Sequence, residues 1–294
     1  MSNDVAEQIL QTRRWQMSAA SAAGASHVKK GNGSDDAHGY YIASDGTSVV
    51  AVVADGAGSR SPSSAIGSFS VCESVLSAAG RLIDSAKSGQ AEAVYSVFKS
   101  ALADINLRAE RLGLEVDDLA TTLAVAVVTP TTSLFAQIGD GIIVCDLDGA
   151  AVALIPEEKA GYVNETTFVT SPGALPSGFR FRRVDSEIRR FVLSTDGFRY
   201  KILRLEEDGA PFEPFFENIW DRLERDLLPV QAFNAWLESV DDQTGDDKTL
   251  VVGVSVPERV GFCASPEIVS SPEPPLPPAR LRTELLISDR APKI

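Results

Sequence analysis

Residues 49–54 read Val-Val-Ala-Val-Val-Ala and then stop at Asp55-Gly56. A run with no polar face belongs in the middle of a sheet covered on both sides, so this chain must build layers around it. The same ending recurs. Ala136-Gln137-Ile138-Gly139-Asp140-Gly141 and Val192-Leu193-Ser194-Thr195-Asp196-Gly197 also close an apolar strand on an aspartate, and Asp246-Asp247 stands just before the apolar strand Leu250 to Val256. In an antiparallel sheet the start of one strand lies beside the end of its neighbour, so these carboxylates can meet at one rim. Of the six Asp-Gly pairs, Asp45-Gly46, Asp148-Gly149 and Asp208-Gly209 read as plain turns.

The spacing places the other elements. Tyr40 to Ala43 pairs with Val49 to Ala54 as a hairpin. Ser61-Pro62 starts a helix whose stripe runs through Ile66, Phe69, Cys72, Leu76, Ala79 and Ile83, and a second stripe runs from Val94 to Leu112. Strands follow at Thr122 to Val128, Ser133 to Ile138, Ile142 to Leu147 and Ala151 to Ile155, with breaks too short for parallel crossovers. A surface excursion at 156–180 precedes strands at Phe181 to Ile188 and Phe191 to Thr195. Two helices, lined by Phe216 to Leu227 and by Val230 to Val240, lead to the last strand. The fold class is therefore α+β, a four-layer α-β-β-α sandwich of two antiparallel sheets flanked by helix pairs. A helix around Val5 to Met17 and the small residues Ser18 to Ser26 form a lead-in over 1–26, the sandwich spans 27–256, and 257–294, with half of the 16 prolines, is a flexible tail.

With 27 Lys and Arg against 41 Asp and Glu, the net charge of -14 disfavours nucleic acid or an acidic membrane as a partner and favours cations. Cys72, Cys145 and Cys263 form neither a disulfide framework nor a zinc motif, which suits the cytoplasm, and no apolar run is long enough to span a bilayer. Carboxylates within ~5 Å of one another repel unless protons or oxygen-seeking dications such as Mg²⁺ or Mn²⁺ relieve them.

The ordered set Asp35-Asp36-Ala37-His38, Val53-Ala54-Asp55-Gly56-Ala57-Gly58-Ser59, Ala120-Thr121-Thr122-Leu123, Ile138-Gly139-Asp140, Leu193-Ser194-Thr195-Asp196-Gly197 and Asp246-Asp247-Lys248-Thr249-Leu250-Val251-Val252 resembles the PPM, or type 2C, protein phosphatases. Tyr162 to Phe168 is similar to a flap stretch of a bacterial branch. The resemblance implies hydrolysis of phosphoserine and phosphothreonine in proteins by a water bridging two Mg²⁺ or Mn²⁺ ions, with a weaker third. It implies Asp55 as the bridging carboxylate, the Gly56 carbonyl as a second-metal ligand, Asp196 and Asp246 as first-metal ligands, Asp36 beside Asp35 as holder of metal waters, and Asp140 as the third-metal residue. The expected partner is a phosphorylated protein, a Ser/Thr kinase or its targets.

Two positions depart from the family pattern. Gly31 to Ser34 replaces the stretch that usually carries a phosphate-clamping arginine, leaving His27, Lys29, Lys30 or Arg60 to substitute. Ala57 replaces a leaving-group acid, leaving His38 or a metal-bound water to donate the proton. The alternatives are a non-catalytic phosphoprotein-binding relative, motivated by the missing arginine, and a small-molecule phosphatase. Pro275 to Arg280 fits a polyproline II peptide that docks a partner, or a spacer.

Overall fold

The computed structural model describes residues 13–31, 33–58, 61–155, 166–240, 244–258 and 266–276. In chain order the first elements are β1 (Arg13–Ala22), α1 (Ala25–Lys30), β2 (Ala37–Ile42), β3 (Val49–Ala54), α2 (Ser64–Ser77), α3 (Ala79–Lys87) and α4 (Glu92–Leu112). Next come β4 (Leu123–Val128), β5 (Ser133–Ile138), β6 (Ile142–Leu147), β7 (Ala150–Ala153), α5 (Ala174–Gly178), β8 (Arg180–Val184) and β9 (Arg190–Ser194). The chain continues through α6 (Arg199–Ile202), the small hairpin β10 (Leu203–Arg204) and β11 (Ala210–Pro211), α7 (Glu213–Glu224), α8 (Val230–Ser239), β12 (Lys248–Pro257) and β13 (Glu267–Ser270).

Two antiparallel sheets result, ordered β13-β2-β3-β4-β5-β8 and β1-β12-β9-β6-β7. Strand parity divides their side chains among three cores. Val49, Ala51 and Val53 face the other sheet, where they meet Phe191, Leu193 and Val251, with Phe135 of their own sheet in the same core. Val50, Val52 and Ala54 face α2, α3 and α4, with Phe98 and Ile105 among their neighbours. On the far side Val192, Leu250 and Val252 pack under Phe216, Trp220 and Phe233 of α7 and α8. The expected four layers are present, and Val49–Ala54 is buried throughout because each face has its own cover.

Three expectations are corrected. Residues 13–17 are strand, not helix: β1 pairs with β12 along all ten residues, from Arg13↔Pro257 to Ala22↔Lys248. Trp15 and Ala19 point between the sheets while Ala20 and Ala22 point to the helices, so the small side chains are what lets α8 lie close over this edge. The single stripe from Ile66 to Ile83 is two helices, bent by 53° at Ala78, which lets one cover β2 and β3 while the other covers β3 and β4. The tail is not free throughout, because Glu267–Ser270 adds an edge strand to β2, with Ile268 opposite Tyr41. Among the described residues no single helix is long and apolar enough to cross a membrane. Cys72 and Cys145 are buried and free, and Cys263 lies outside the described residues.

α2 also approaches the turn Val116–Leu119 that leads into β4. A Cβ built on Gly67 falls on the Leu119 carbonyl group. Gly67→Ala is therefore expected to lower unfolding stability by about 2 kcal/mol, since backbone must shift to admit it. A urea midpoint equal to that of the parent would contradict the close approach.

Candidate metal centre

Antiparallel pairing gathers strand ends at one rim. Ala54 closes β3 opposite Ala37, Ile138 closes β5 opposite Leu123, and Ser194 closes β9 between Leu250 and Ile142. The residues just beyond are Asp55, Asp140 and Asp196, and one carboxylate oxygen from each lies within 4.8 Å of the other two. Asp36 enters β2 and Asp246 stands two residues before β12 at the same rim, where both raise the pKa of Asp55.

The backbone at Asp55 is fastened from two sides. Its N–H donates to Thr122 Oγ1 at 3.0 Å, and its carbonyl accepts from the Thr121 hydroxyl and the Thr122 N–H, each at 2.9 Å. This is what Ala120-Thr121-Thr122 does for the site. The Gly56 carbonyl accepts the Gly58 N–H at 2.6 Å, and a Cβ on Gly56 would meet the Asp35 carbonyl and the Ser64 backbone. Asp36 accepts the Thr195 hydroxyl at 2.7 Å, and Asp140 accepts that of Thr166 at 2.7 Å.

The electrostatics are those of buried carboxylates crowded together. Burial, then Asp36, Asp196, Asp246 and Asp140, hold Asp55 well above the usual carboxylate range. Burial and Asp247 do the same to Asp36 against the hydroxyls of Thr195 and Thr249. Asp196 is pushed up to about 6 by burial, Asp140 and Asp246, with hydrogen bonding to Asp55 and the charge of Arg199 opposing. Asp196 Oδ1 is buried and has no hydrogen-bond partner among the described residues. An all-oxygen cluster with one orphaned buried acceptor suits a hard divalent cation such as Mg²⁺ or Mn²⁺.

Raised carboxyl pKa values stabilise the metal-free fold below the unfolded value of 3.8, and that stability is lost as pH rises through about 6 for Asp196 and through the likewise raised values of Asp55 and Asp36. His38, held down to about 4 by burial, works the other way between its ordinary 6.5 and 4, but it is a single group. In chelator, the melting temperature is expected to rise between about pH 7.5 and pH 6. A fall over that interval would mean the carboxylates do not repel one another as placed.

A second cluster flanks the first. His27, Asp35 and Asp247 also bring one ligating atom each within 4.8 Å. Asp247, which stands in the Asp246-Asp247 motif but has no role there by resemblance, is buried and fully engaged. It accepts the Gly24 N–H at 2.7 Å, the Asp35 N–H at 2.5 Å and His27 Nδ1 at 2.9 Å. Through those three donors it ties the surrounding loops together. His27 Nε2 lies 3.8 Å from Asp35 Oδ2, and a Cβ on Gly58 would strike both residues. Asp35 is raised by burial first, with His27 opposing and Asp247 adding to the shift.

The remaining expected site residues are not gathered in the same way. His38 is buried between the hydroxyls of Ser21, 2.7 Å from Nδ1, and Ser271, 3.2 Å away. Neutral at pH 7, it is not equipped to protonate a leaving group. Lys29 is exposed on α1, Lys30 closes that helix, and Arg60 lies outside the described residues. Asp246 is exposed, and its Oδ1 accepts the Asp247 N–H at 2.9 Å. Arg199, three residues beyond Asp196, is a cation at the site that no sequence motif singles out.

Two stacked antiparallel sheets, helices outside both, and a carboxylate cluster where strands of both sheets end define a four-layer sandwich with a candidate metal centre at its rim. The family model for protein phosphatase 2C matches residues 23–238, and the chain belongs to that family. Serine/threonine-protein phosphatase 3 of Escherichia coli (strain K12) is 30% identical over 257 residues, which cover 82% of this chain and 98% of that protein. Among solved structures, the catalytic domain of the serine threonine protein phosphatase PstP in complex with two manganese ions has a TM-score of 0.54 at 15% identity, covering 83% of this chain and 100% of that one. A variant of a bacterial serine phosphatase has a TM-score of 0.55 at 14% identity, covering 85% and 100%. At such identities these two matches speak for the fold.

Proposed function

We propose that this chain is a metal-dependent serine/threonine protein phosphatase that removes phosphate from phosphoserine and phosphothreonine in proteins. The observation that carries the reading is the convergence of Asp55, Asp140 and Asp196 within 4.8 Å, with Asp196 Oδ1 left without a hydrogen-bond partner among the described residues. Family membership and the named activity of the E. coli relative support it. Asp55, Asp196 and Asp140 would hold Mg²⁺ or Mn²⁺, with Asp246, Asp36 and the Gly56 carbonyl as the further oxygens at the rim. Dications held there would supply a water of lowered pKa and would offset the charge that develops on phosphoryl oxygens.

The protein's own groups supply order. Thr121 and Thr122 fix the Asp55 backbone, Thr195 orients Asp36, and Thr166 orients Asp140. Asp247 holds His27 at the rim through Nδ1, which leaves Nε2 to face Asp35 and an incoming phosphate. That makes His27 the imidazole placed to substitute for the missing arginine, as a single donor without a bidentate fork.

The test is release of phosphate from a phosphothreonine peptide with Mn²⁺ present and with chelator. Turnover that chelator abolishes is expected. Absence of turnover on peptides and on p-nitrophenyl phosphate alike, at saturating Mn²⁺, would overturn the assignment.

A further inference from the structure

A groove of about 770 Å³ opens beside the rim. Asp35 and Asp36 stand at one wall, Val230, Asn234 and Glu238 of α8 at another, and residues 271–275 form a third. The chain itself delivers that third wall. β13 pairs with β2, the Ser271 N–H donates to the His38 carbonyl at 2.9 Å, the Ser271 hydroxyl accepts the His38 N–H at 2.8 Å, and Arg108 holds Glu273 at 2.9 Å. Leu276, the last described residue, is thereby placed one residue beyond the lining residue Pro275.

The rest of the chain is suited to the groove. Residues 277–294 carry Arg280, Arg282, Arg290 and Lys293 against Glu284 and Asp289, a local net charge of +2 in a chain of -14. The described lining residues include neither lysine nor arginine; of their carboxylates Glu273 is paired with Arg108 and Asp36 belongs to the rim, which leaves Asp35 and Glu238 as the acidic charge along the groove. Leu281, Leu285 and Leu286 have apolar counterparts in Ile66, Val230 and Pro62 of the lining. Reach is ample, because the seven residues 277–283 extend to roughly 23 Å, while a cavity of this volume is on the order of 10 Å across.

We propose that residues 277–294 of this same chain occupy the groove and compete with phosphoprotein for the rim. A tether this short gives an effective concentration on the order of 1 mM, so an intrinsic Kd of about 100 µM suffices to fill the groove some nine-tenths of the time. The inhibitory consequence rests on the phosphatase reading; occupancy of the groove does not.

Two measurements separate these. In the first, a fluorescent peptide spanning 277–294 is titrated onto a variant ending at Leu276, which keeps β13, with Mn²⁺ present to neutralise the carboxylate trio. Saturable binding near 100 µM is expected, weakened at least about threefold by Glu238→Lys on the protein or by Arg280→Glu with Arg282→Glu in the peptide. No saturation by about 2 mM, or binding indifferent to both charge reversals, would overturn occupancy. In the second, the full chain and the Leu276 variant are compared on a phosphothreonine peptide. The shorter form is expected to show KM lowered about tenfold with kcat unchanged, and the free 277–294 peptide to restore KM. Equal KM values would overturn the competition, whereas loss of all turnover in both forms would count against the phosphatase assignment and leave the binding titration to decide occupancy.

Discussion

Asp55→Ala is expected to lower Mn²⁺-dependent hydrolysis of a phosphothreonine peptide by about 1,000-fold or more, a loss of roughly 4 kcal/mol of transition-state stabilisation. The same variant should melt at a higher temperature than the parent in chelator. Burial and four neighbouring carboxylates act against the charge at Asp55, so deleting it relieves repulsion that a bound proton or a cation otherwise cancels. The backbone bonds from Thr121 and Thr122 do not involve the side chain, so the rim keeps its shape. Activity and metal-free stability thus move in opposite directions, a pattern that a merely structural aspartate does not give. A variant that is both inactive and less stable in chelator would argue that Asp55 supports the fold rather than a metal.

Asp247→Ala is expected to cost about 3 kcal/mol of unfolding stability, because the backbone N–H groups of Gly24 and Asp35 lose their acceptor together with His27 Nδ1. Loosening the loop that carries Asp35 and Asp36 should also weaken Mn²⁺ binding by about 10- to 100-fold. Urea unfolding and calorimetric titration with Mn²⁺ measure the two effects. Asp247→Asn, which keeps one acceptor oxygen, should recover part of both. A change under about 1 kcal/mol for the alanine variant would show that the three donors find water instead.

The layers could be read from the sequence wherever a strand is apolar on both faces. Val49–Ala54, Ser133–Ile138 and Ile142–Leu147 fall where their hydrophobic runs and turn residues place them. At Asp148-Gly149 both residues take positive φ, 53° and 86°, as a tight two-residue hairpin requires. β1 is hidden because Ser18-Ala19-Ala20-Ser21-Ala22 has weak strand propensity, and only the ten-residue pairing with β12 makes it a strand. β13 is hidden for a similar reason, since its order comes from the open edge of β2 and from Ser271 meeting His38. The bend at Ala78 leaves the stripe of apolar residues intact, so periodicity alone runs the two helices into one.

At the site, residue type and position were legible for Asp55, Asp140 and Asp196 because each ends an apolar run. Their closeness was not: one carboxylate oxygen of each comes within 4.8 Å of the other two. Asp246 and Asp247 look alike in sequence. Only the fold separates an exposed carboxylate from a buried one that has two backbone donors and an imidazole. His38 follows the acidic pair and so reads as a site residue, yet its ring is buried between Ser21 and Ser271.

The most direct measurement is a crystal grown with excess Mn²⁺, with diffraction recorded at the manganese absorption edge. Strong anomalous peaks bounded by the oxygens of Asp55, Asp140 and Asp196 are predicted, with at least one within about 2.3 Å of an Asp55 oxygen. An ordered rim with those carboxylates in place and no anomalous signal among them would contradict the account.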